Sequence, residues 1–159
     1  MIVVENDFNN ISFVEFDRLF LHASYLWLQD MELCNLLDVL PPTEKQQEIW
    51  FNGLLQKGDY KIFGVNYENI PIGVCGLKNI TKTTGEYFGY IGEKEMWGKG
   101  IGRLFVQFIE KYARDKGLSS IYLRVLRHNV RAMKLYKKLN YTTFETYDSD
   151  ELIKMIKFL

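Results

Sequence analysis

Apolar and polar positions change period several times along the chain, and each change marks a boundary. After a short opening strand, residues 16–38 mix apolar and acidic residues at helical spacing, in pieces such as 23–28 and 31–36. Pro41-Pro42 ends that region, because proline has a fixed φ and no amide hydrogen. Thr43 with Gln46 reads as a capping box. In the helix that follows, Ile49, Trp50, Leu54 and Leu55 would form one buried stripe. Residues 60–67 and 70–80, joined by Glu68-Asn69, then read as a β-hairpin. Residues 86–92 make a third strand, rich in aromatic side chains and interrupted by Gly89. From residue 100 to 116 the period lengthens again. Ile101, Leu104, Phe105, Phe108, Ile109 and Tyr112 recur at helical spacing, and Gly117 is placed to cap that helix. Residues 121–126 read as a buried strand, 129–139 as a helix, and 141–147 and 152–158 as two further strands. The order of elements predicts an α/β (α+β) domain with a mixed sheet and helices on both faces.

No Pro/Gly/Ser-rich linker, low-complexity tract or internal repeat interrupts the 159 residues, so one domain over 1–159 is expected. With 47% hydrophobic and 25% charged residues the chain can bury an ordinary core. Twenty basic residues balance 20 acidic ones, which argues against a nucleic-acid partner but leaves room for a local anion site. Cys34 and Cys75 are too few for a disulfide framework or a metal site and read as buried thiols. Residues 1–10 carry no signal-peptide pattern, and no apolar run approaches the roughly 20 residues that span a bilayer. A cytoplasmic location without membrane contact is expected.

The segment most suited to chemistry is Trp97-Gly98-Lys99-Gly100-Ile101-Gly102-Arg103, set between a strand and a long helix. Glycines there let the backbone approach a ligand, and the free amides at a helix start suit a phosphate or pyrophosphate. The spacing is not that of a P-loop, and it makes a poor dinucleotide fingerprint.

Downstream lies Asn129-Val130-Arg131-Ala132-Met133-Lys134-Leu135-Tyr136-Lys137-Lys138-Leu139-Asn140-Tyr141. Together the two segments resemble the GNAT acyltransferase superfamily. Its glycine turn is matched by Gly100 and Gly102, and its Asn-x-x-Ala-x-x-Leu-Tyr-x-Lys-Leu element by Asn129, Ala132, Leu135, Tyr136, Lys138 and Leu139. Upstream, Leu26-Trp27-Leu28-Gln29-Asp30-Met31-Glu32-Leu33 and Gly89-Tyr90-Ile91-Gly92 look like the ribosomal-protein N-terminal acetyltransferase branch. Trp97 departs from the family's usual Gln or Arg, and Asn140 from its usual Gly.

The resemblance implies a mostly antiparallel sheet of six to seven strands and transfer of an acetyl group from acetyl-CoA to a primary amine. The acceptor would be an amino sugar, free or nucleotide-linked, an amino acid or a polyamine. The protein would act as a monomer or homodimer. A protein N-terminus as acceptor, a noncatalytic acyl-CoA sensor and another nucleotide-binding module are the competing readings. The resemblance places the cofactor against Tyr90, Ile91, Gly92, Trp97, Gly98, Lys99, Gly100, Ile101, Gly102, Arg103, Asn129 and Tyr136. A free backbone N–H near Ile91 or Gly92 would polarise the thioester carbonyl, in a gap that a β-bulge at Gly89 or Gly92 would open. Tyr136 would protonate the leaving thiolate. Glu86, Glu93 and His128 are candidate bases, and Glu86 is favoured because Tyr87, Phe88 and Tyr90 surround it along the strand. Trp27, Asp30, Glu32 and Tyr87 are candidate acceptor contacts, with Tyr25 and Trp50 nearby in the pattern.

Overall fold

In a computed structural model, which describes residues 2–3, 10–144 and 151–159, the hairpin forms where the pattern puts it. Strand β3 (Lys61–Tyr67) and strand β4 (Ile70–Lys78) are antiparallel, with Tyr67 opposite Ile70. Glu68 and Asn69 both have positive φ, at 48° and 65°, the twist a two-residue hairpin turn requires. Before them come β1 (Ile2–Val3), β2 (Ile11–Glu15), α1 (Arg18–Trp27), α2 (Met31–Leu37) and α3 (Glu44–Gly53). After them come β5 (Thr84–Ile91), α4 (Gly102–Asp115), β6 (Ser120–Leu126), α5 (Val130–Lys138), β7 (Thr142–Thr143) and β8 (Leu152–Phe158). Two strands of two residues each, β1 and β7, bring the sheet to eight in the order β1-β2-β3-β4-β5-β6-β8-β7. Among the described residues only β5 and β6 pair in parallel. The rest of the strand expected at 141–147 falls largely outside the described residues.

Strand alternation sends Tyr87 of β5 into one core, with Ile101, Phe105 and Ile109 of α4 and the apolar side of α5. Phe88 and Tyr90 turn to the opposite face, where Phe20 and Trp27 of α1, Leu33 of α2 and Trp50 of α3 form a second core. The apolar periodicity of α4 is realised: Ile101, Leu104, Phe105, Phe108 and Ile109 are all buried. That of α3 is not. Its capping box forms, but the helix ends at Gly53 and tightens into a 3-10 turn over Leu54–Gln56. Ile49 and Leu55, expected in the buried stripe, are 64% and 100% exposed, and the residue buried instead is Gln47. The tighter turn rotates Leu55 off the helical face. No described helix is long and apolar enough to cross a membrane.

Candidate functional site

The site begins where two strands part. β5 and β6 pair from Thr84 with Ser120 to Tyr87 with Leu123, and then diverge. Beyond that point β5 stays with β4 through Ile91, while β6 stays with β8 through Leu126. Gly92 N–H donates to the Ile72 carbonyl at 2.7 Å, and Glu93 N–H reaches the same oxygen at 3.2 Å. The alternation of an antiparallel ladder then turns the amides of Phe88 and Tyr90 towards β4 and those of Gly89 and Ile91 towards the gap. Of the two amides considered for the thioester carbonyl, Gly92 is thus spent on Ile72 and Ile91 faces the opening. Register across Gly89 is unbroken, so no bulge there opens the slot; it opens because β6 leaves. Gly89 answers to crowding instead, since a Cβ would lie 2.5 Å from the Tyr87 hydroxyl.

At one end of the slot stands the N-terminus of α4. Helices α1, α2, α3 and α5 each have a side-chain cap, from Asp17, Asp30, Thr43 and Asn129. α4 has none, and no acidic residue lies in its first turn. Its leading amides and positive dipole end are left for an anion. Gly98 and Gly100 lead in at φ 73° and 80°, and a Cβ on either would meet nothing within 4 Å. Backbone conformation, not crowding, is what requires glycine there. A cleft of about 740 Å³ runs from this turn along the slot, with Gly98, Gly100, Ile101, Gly102 and Arg103 on one side. Asn129, Ala132 and Tyr136 of α5 lie on the other. Arg131 also lines it, whereas the expected Lys99 does not. Arg131 sits next to the matched Ala132, but an exposed Arg in a basic helix gives no signal of its own.

Trp97, one of the two residues that depart from the family pattern, has a definite task. Its indole N–H donates to the Ile91 carbonyl at 2.8 Å, and its ring lies 5.8 Å from the Arg131 guanidinium and 5.7 Å from the Lys94 ammonium. It closes one wall of the slot and fixes the Ile91 peptide.

Tyr136 packs edge-on against Tyr87 and Tyr141, with ring centroids at 6.2 and 6.0 Å. Burial pushes its phenol up to about 12, which keeps it protonated across the physiological range. Glu86 is 4% exposed on the other face of β5. Its carboxylate accepts from Asn79 Nδ2 at 3.2 Å and lies 3.5 Å from Lys78 Nζ and 3.6 Å from Arg124 Nε. Those cations compensate the burial of its charge; the aromatic residues along the strand are not its only surroundings. Of the other candidate bases, Glu93 accepts from Trp27 Nε1 at 2.7 Å, and His128 is exposed at the cleft rim.

The four residues expected to touch the acceptor do not come together. Trp27 is buried and covers Gly92, where a Cβ would sit 2.0 Å from its ring. Asp30 caps α2 and binds Lys94 Nζ at 2.7 Å, which holds its carboxyl below the usual range; Glu32 lies 3.6 Å from the same ammonium. Glu32 borders the α4 cleft, and Tyr87 faces Tyr136 on that side too. Tyr25 lines a separate surface depression with Arg18 and Glu48. The opening on the Glu86 face is formed instead by Phe16, Trp50, Tyr60, Phe88 and Tyr90, with Gln46 and Gln47 of α3. Of these, Trp50 and Tyr90 are the two that the sequence also offers for the acceptor side. The slot joins the two cavities, since Gly89 and Tyr90 line all three.

The profile of the Acetyltransferase (GNAT) family matches residues 24–141. The chain is 28% identical over 90 residues to an uncharacterized protein of Methanocaldococcus jannaschii; the match covers 57% of this chain and only 16% of that protein. Among solved structures it is similar to spermidine N-acetyltransferase from Vibrio cholerae in complex with CoA and spermine, with a TM-score of 0.84 at 18% identity, covering 94% of this chain and 95% of the other. It is also similar to the Campylobacter jejuni N-acetyltransferase PseH, with a TM-score of 0.73 at 20% identity, covering 94% and 98%. A third likeness is to an aminoglycoside acetyltransferase in complex with coenzyme A, with a TM-score of 0.79 at 17% identity over 93% and 94%. Identities this low establish a shared fold.

Proposed function

The chain belongs to the Acetyltransferase (GNAT) family, and on that premise we propose that it transfers an acetyl group from acetyl-CoA to the primary amine of a small molecule, by direct attack in a ternary complex. The observation that carries the proposal is the slot between β5 and β6, which has an uncapped helix start at one end and a second pocket on the opposite face. The donor set fits acetyl-CoA: amides of residues 98–103 for the pyrophosphate, Arg103 and Arg131 for added charge, and the β5 edge for the pantetheine. Bound there, acetyl-CoA supplies an acyl group activated as a thioester.

The chain's own residues divide the remaining work. The Ile91 N–H donates to the carbonyl oxygen where negative charge develops. Tyr136 donates its phenolic proton to the departing sulfur, and Glu86 on the other face takes the amine proton through a water. Placing acid and base on opposite faces of β5 lets the amine and the thioester approach from opposite sides. Asn129 holds the start of α5, accepting from the Ala132 amide at 3.3 Å, and so sets Tyr136 relative to the slot. Similar folds whose names include spermidine and aminoglycoside acetylation support a small amine as acceptor. A place beside the ribosomal-protein N-terminal acetyltransferase branch, resting on residues 26–33 and 89–100, is part of the same proposal. So is a reducing, cytoplasmic compartment, which the buried free thiols of Cys34 and Cys75 suit.

Thiol release from acetyl-CoA in the presence of a panel of primary amines tests the function. The expected result is amine-dependent release, with thermal stabilisation by CoA and none by NAD or ATP. Stabilisation by NAD or ATP instead of CoA would overturn the assignment.

A further inference from the structure

The pocket on the Glu86 face of β5 has about 500 Å³ of space and opens into the slot at Phe88, Gly89 and Tyr90. We infer that this pocket receives the acceptor, and that the acceptor is a primary amine carried on an apolar aromatic body with no second positive charge. The inference rests on the acetyltransferase reading above.

Aromatic side chains line the pocket beside aliphatic ones such as Leu28, Ile62 and Val74. Tyr60 stacks on Phe88 with centroids 5.3 Å apart and planes at 26°. Trp50 meets Tyr60 edge-on at 6.3 Å and Phe16 at 5.4 Å. Such an enclosure favours a ring, which can stack or meet these faces edge-on.

Charge points the same way. Lys78 is the only charged side chain among the described residues lining this pocket. A polyamine would bring several ammonium groups into an apolar space beside a lysine, with no carboxylate lining it. The acidic pair that could have served, Asp30 and Glu32, lies elsewhere and is tied to Lys94. A single amine fits better. Its nitrogen can pass into the slot beside Glu86 and the Lys78 ammonium paired with it.

Several polar groups of the wall are already engaged, which counts against a sugar with its many hydroxyls. Ser24 Oγ donates to the Leu21 carbonyl at 2.9 Å and accepts from Gln47 Nε2 at 3.4 Å. Gln46 Oε1 accepts from the Thr43 amide at 2.9 Å.

The test compares phenethylamine, glucosamine and spermidine as acceptors with acetyl-CoA, following thiol release. Calorimetry alongside it measures phenethylamine binding to the CoA-saturated protein. Phenethylamine should show heat of binding and a kcat/KM on the order of tenfold to a hundredfold above the other two. Gln46→Glu keeps the capping box, since Glu serves that position equally, and adds a carboxylate at the pocket. It should narrow the gap between phenethylamine and spermidine. Preference of the wild type for spermidine or glucosamine would overturn the inference and leave the acetyltransferase reading intact. So would absence of both turnover and binding heat with phenethylamine while CoA still binds. Failure of CoA to bind would sink both.

Discussion

On the α4 side of β5 the site is made of main chain: two glycines at positive φ, an uncapped helix start and the Ile91 amide. On the Glu86 side it is made of side chains, with Trp50, Tyr60 and Phe88 enclosing a pocket and Glu86 held among Lys78, Asn79 and Arg124. The two sides ask different things of the sequence. A cradle of amides demands glycine where φ is positive and tolerates almost anything between, so it leaves a spaced signature. A wall of rings demands only bulk and apolarity, which any core position also supplies.

The sharpest break in that contrast comes from Tyr136, a side chain proposed as the acid on the main-chain side. Tyr136→Phe keeps the ring packed against Tyr87 and Tyr141 and removes one hydroxyl. kcat should fall by roughly 10²–10⁴-fold, with CoA affinity and melting temperature nearly unchanged. A drop in melting temperature at constant kcat would make Tyr136 a packing residue. The wild-type rate should climb with pH as the amine loses its proton. Tyr136 itself should cause no decline at pH values well below its pKa of about 12.

Next comes the cradle. Gly100→Val forces a β-branched residue to φ 80°, at a cost of about 1–3 kcal/mol, or a tenfold to hundredfold loss of CoA affinity. Isothermal titration reads it directly. A folded Gly100→Val variant with wild-type affinity would show that the amides at 98–103 do not hold the pyrophosphate.

The same division explains what the sequence made legible. The Glu68-Asn69 hairpin, the α4 stripe and the Thr43–Gln46 capping box are local, and each formed as its chemistry dictates. Gly100, Gly102 and Tyr136, which lie at fixed spacings in the sequence, line one cleft. The pocket proposed for the acceptor is not legible there, because it depends on which faces of α1 and α3 meet β3 to β5. Gln47, a polar position outside the expected stripe, is the buried one, while Leu55, expected in it, is fully exposed. Asp30 and Glu32 looked free to bind an ammonium, and Lys94, 62 or more residues away in sequence, supplies one. Trp97 reads in the sequence as a cofactor contact that lacks the family's usual polar side chain, and its bond to the Ile91 carbonyl cannot be read from spacing.

Glu86→Gln probes the side-chain face. It removes the proposed proton acceptor and leaves Lys78 and Arg124 without their shared carboxylate. The rate at neutral pH should fall on the order of tenfold, beneath the ~10²–10⁴ of a directly positioned base, if Glu86 acts through water as proposed. The deficit should shrink as pH rises and more amine arrives uncharged. A pH–rate profile parallel to that of the wild type would make Glu86 structural only.

The smallest effect is expected at Trp97. Trp97→Phe preserves a ring in the wall but withdraws the donor from the Ile91 carbonyl, worth about 0.5–1.5 kcal/mol, so KM for acetyl-CoA should rise several-fold. An unchanged KM would mean the Ile91 peptide is held in place without it.

The most direct measurement is a crystal structure of the protein with CoA. The account predicts the pyrophosphate on the amides of residues 98–103, the pantetheine between β5 and β6, and the sulfur within hydrogen-bonding reach of the Tyr136 hydroxyl. The pocket walled by Trp50 and Tyr60 should remain open on the far side. CoA seated outside the slot, or a pantetheine filling the Trp50 pocket, would contradict it.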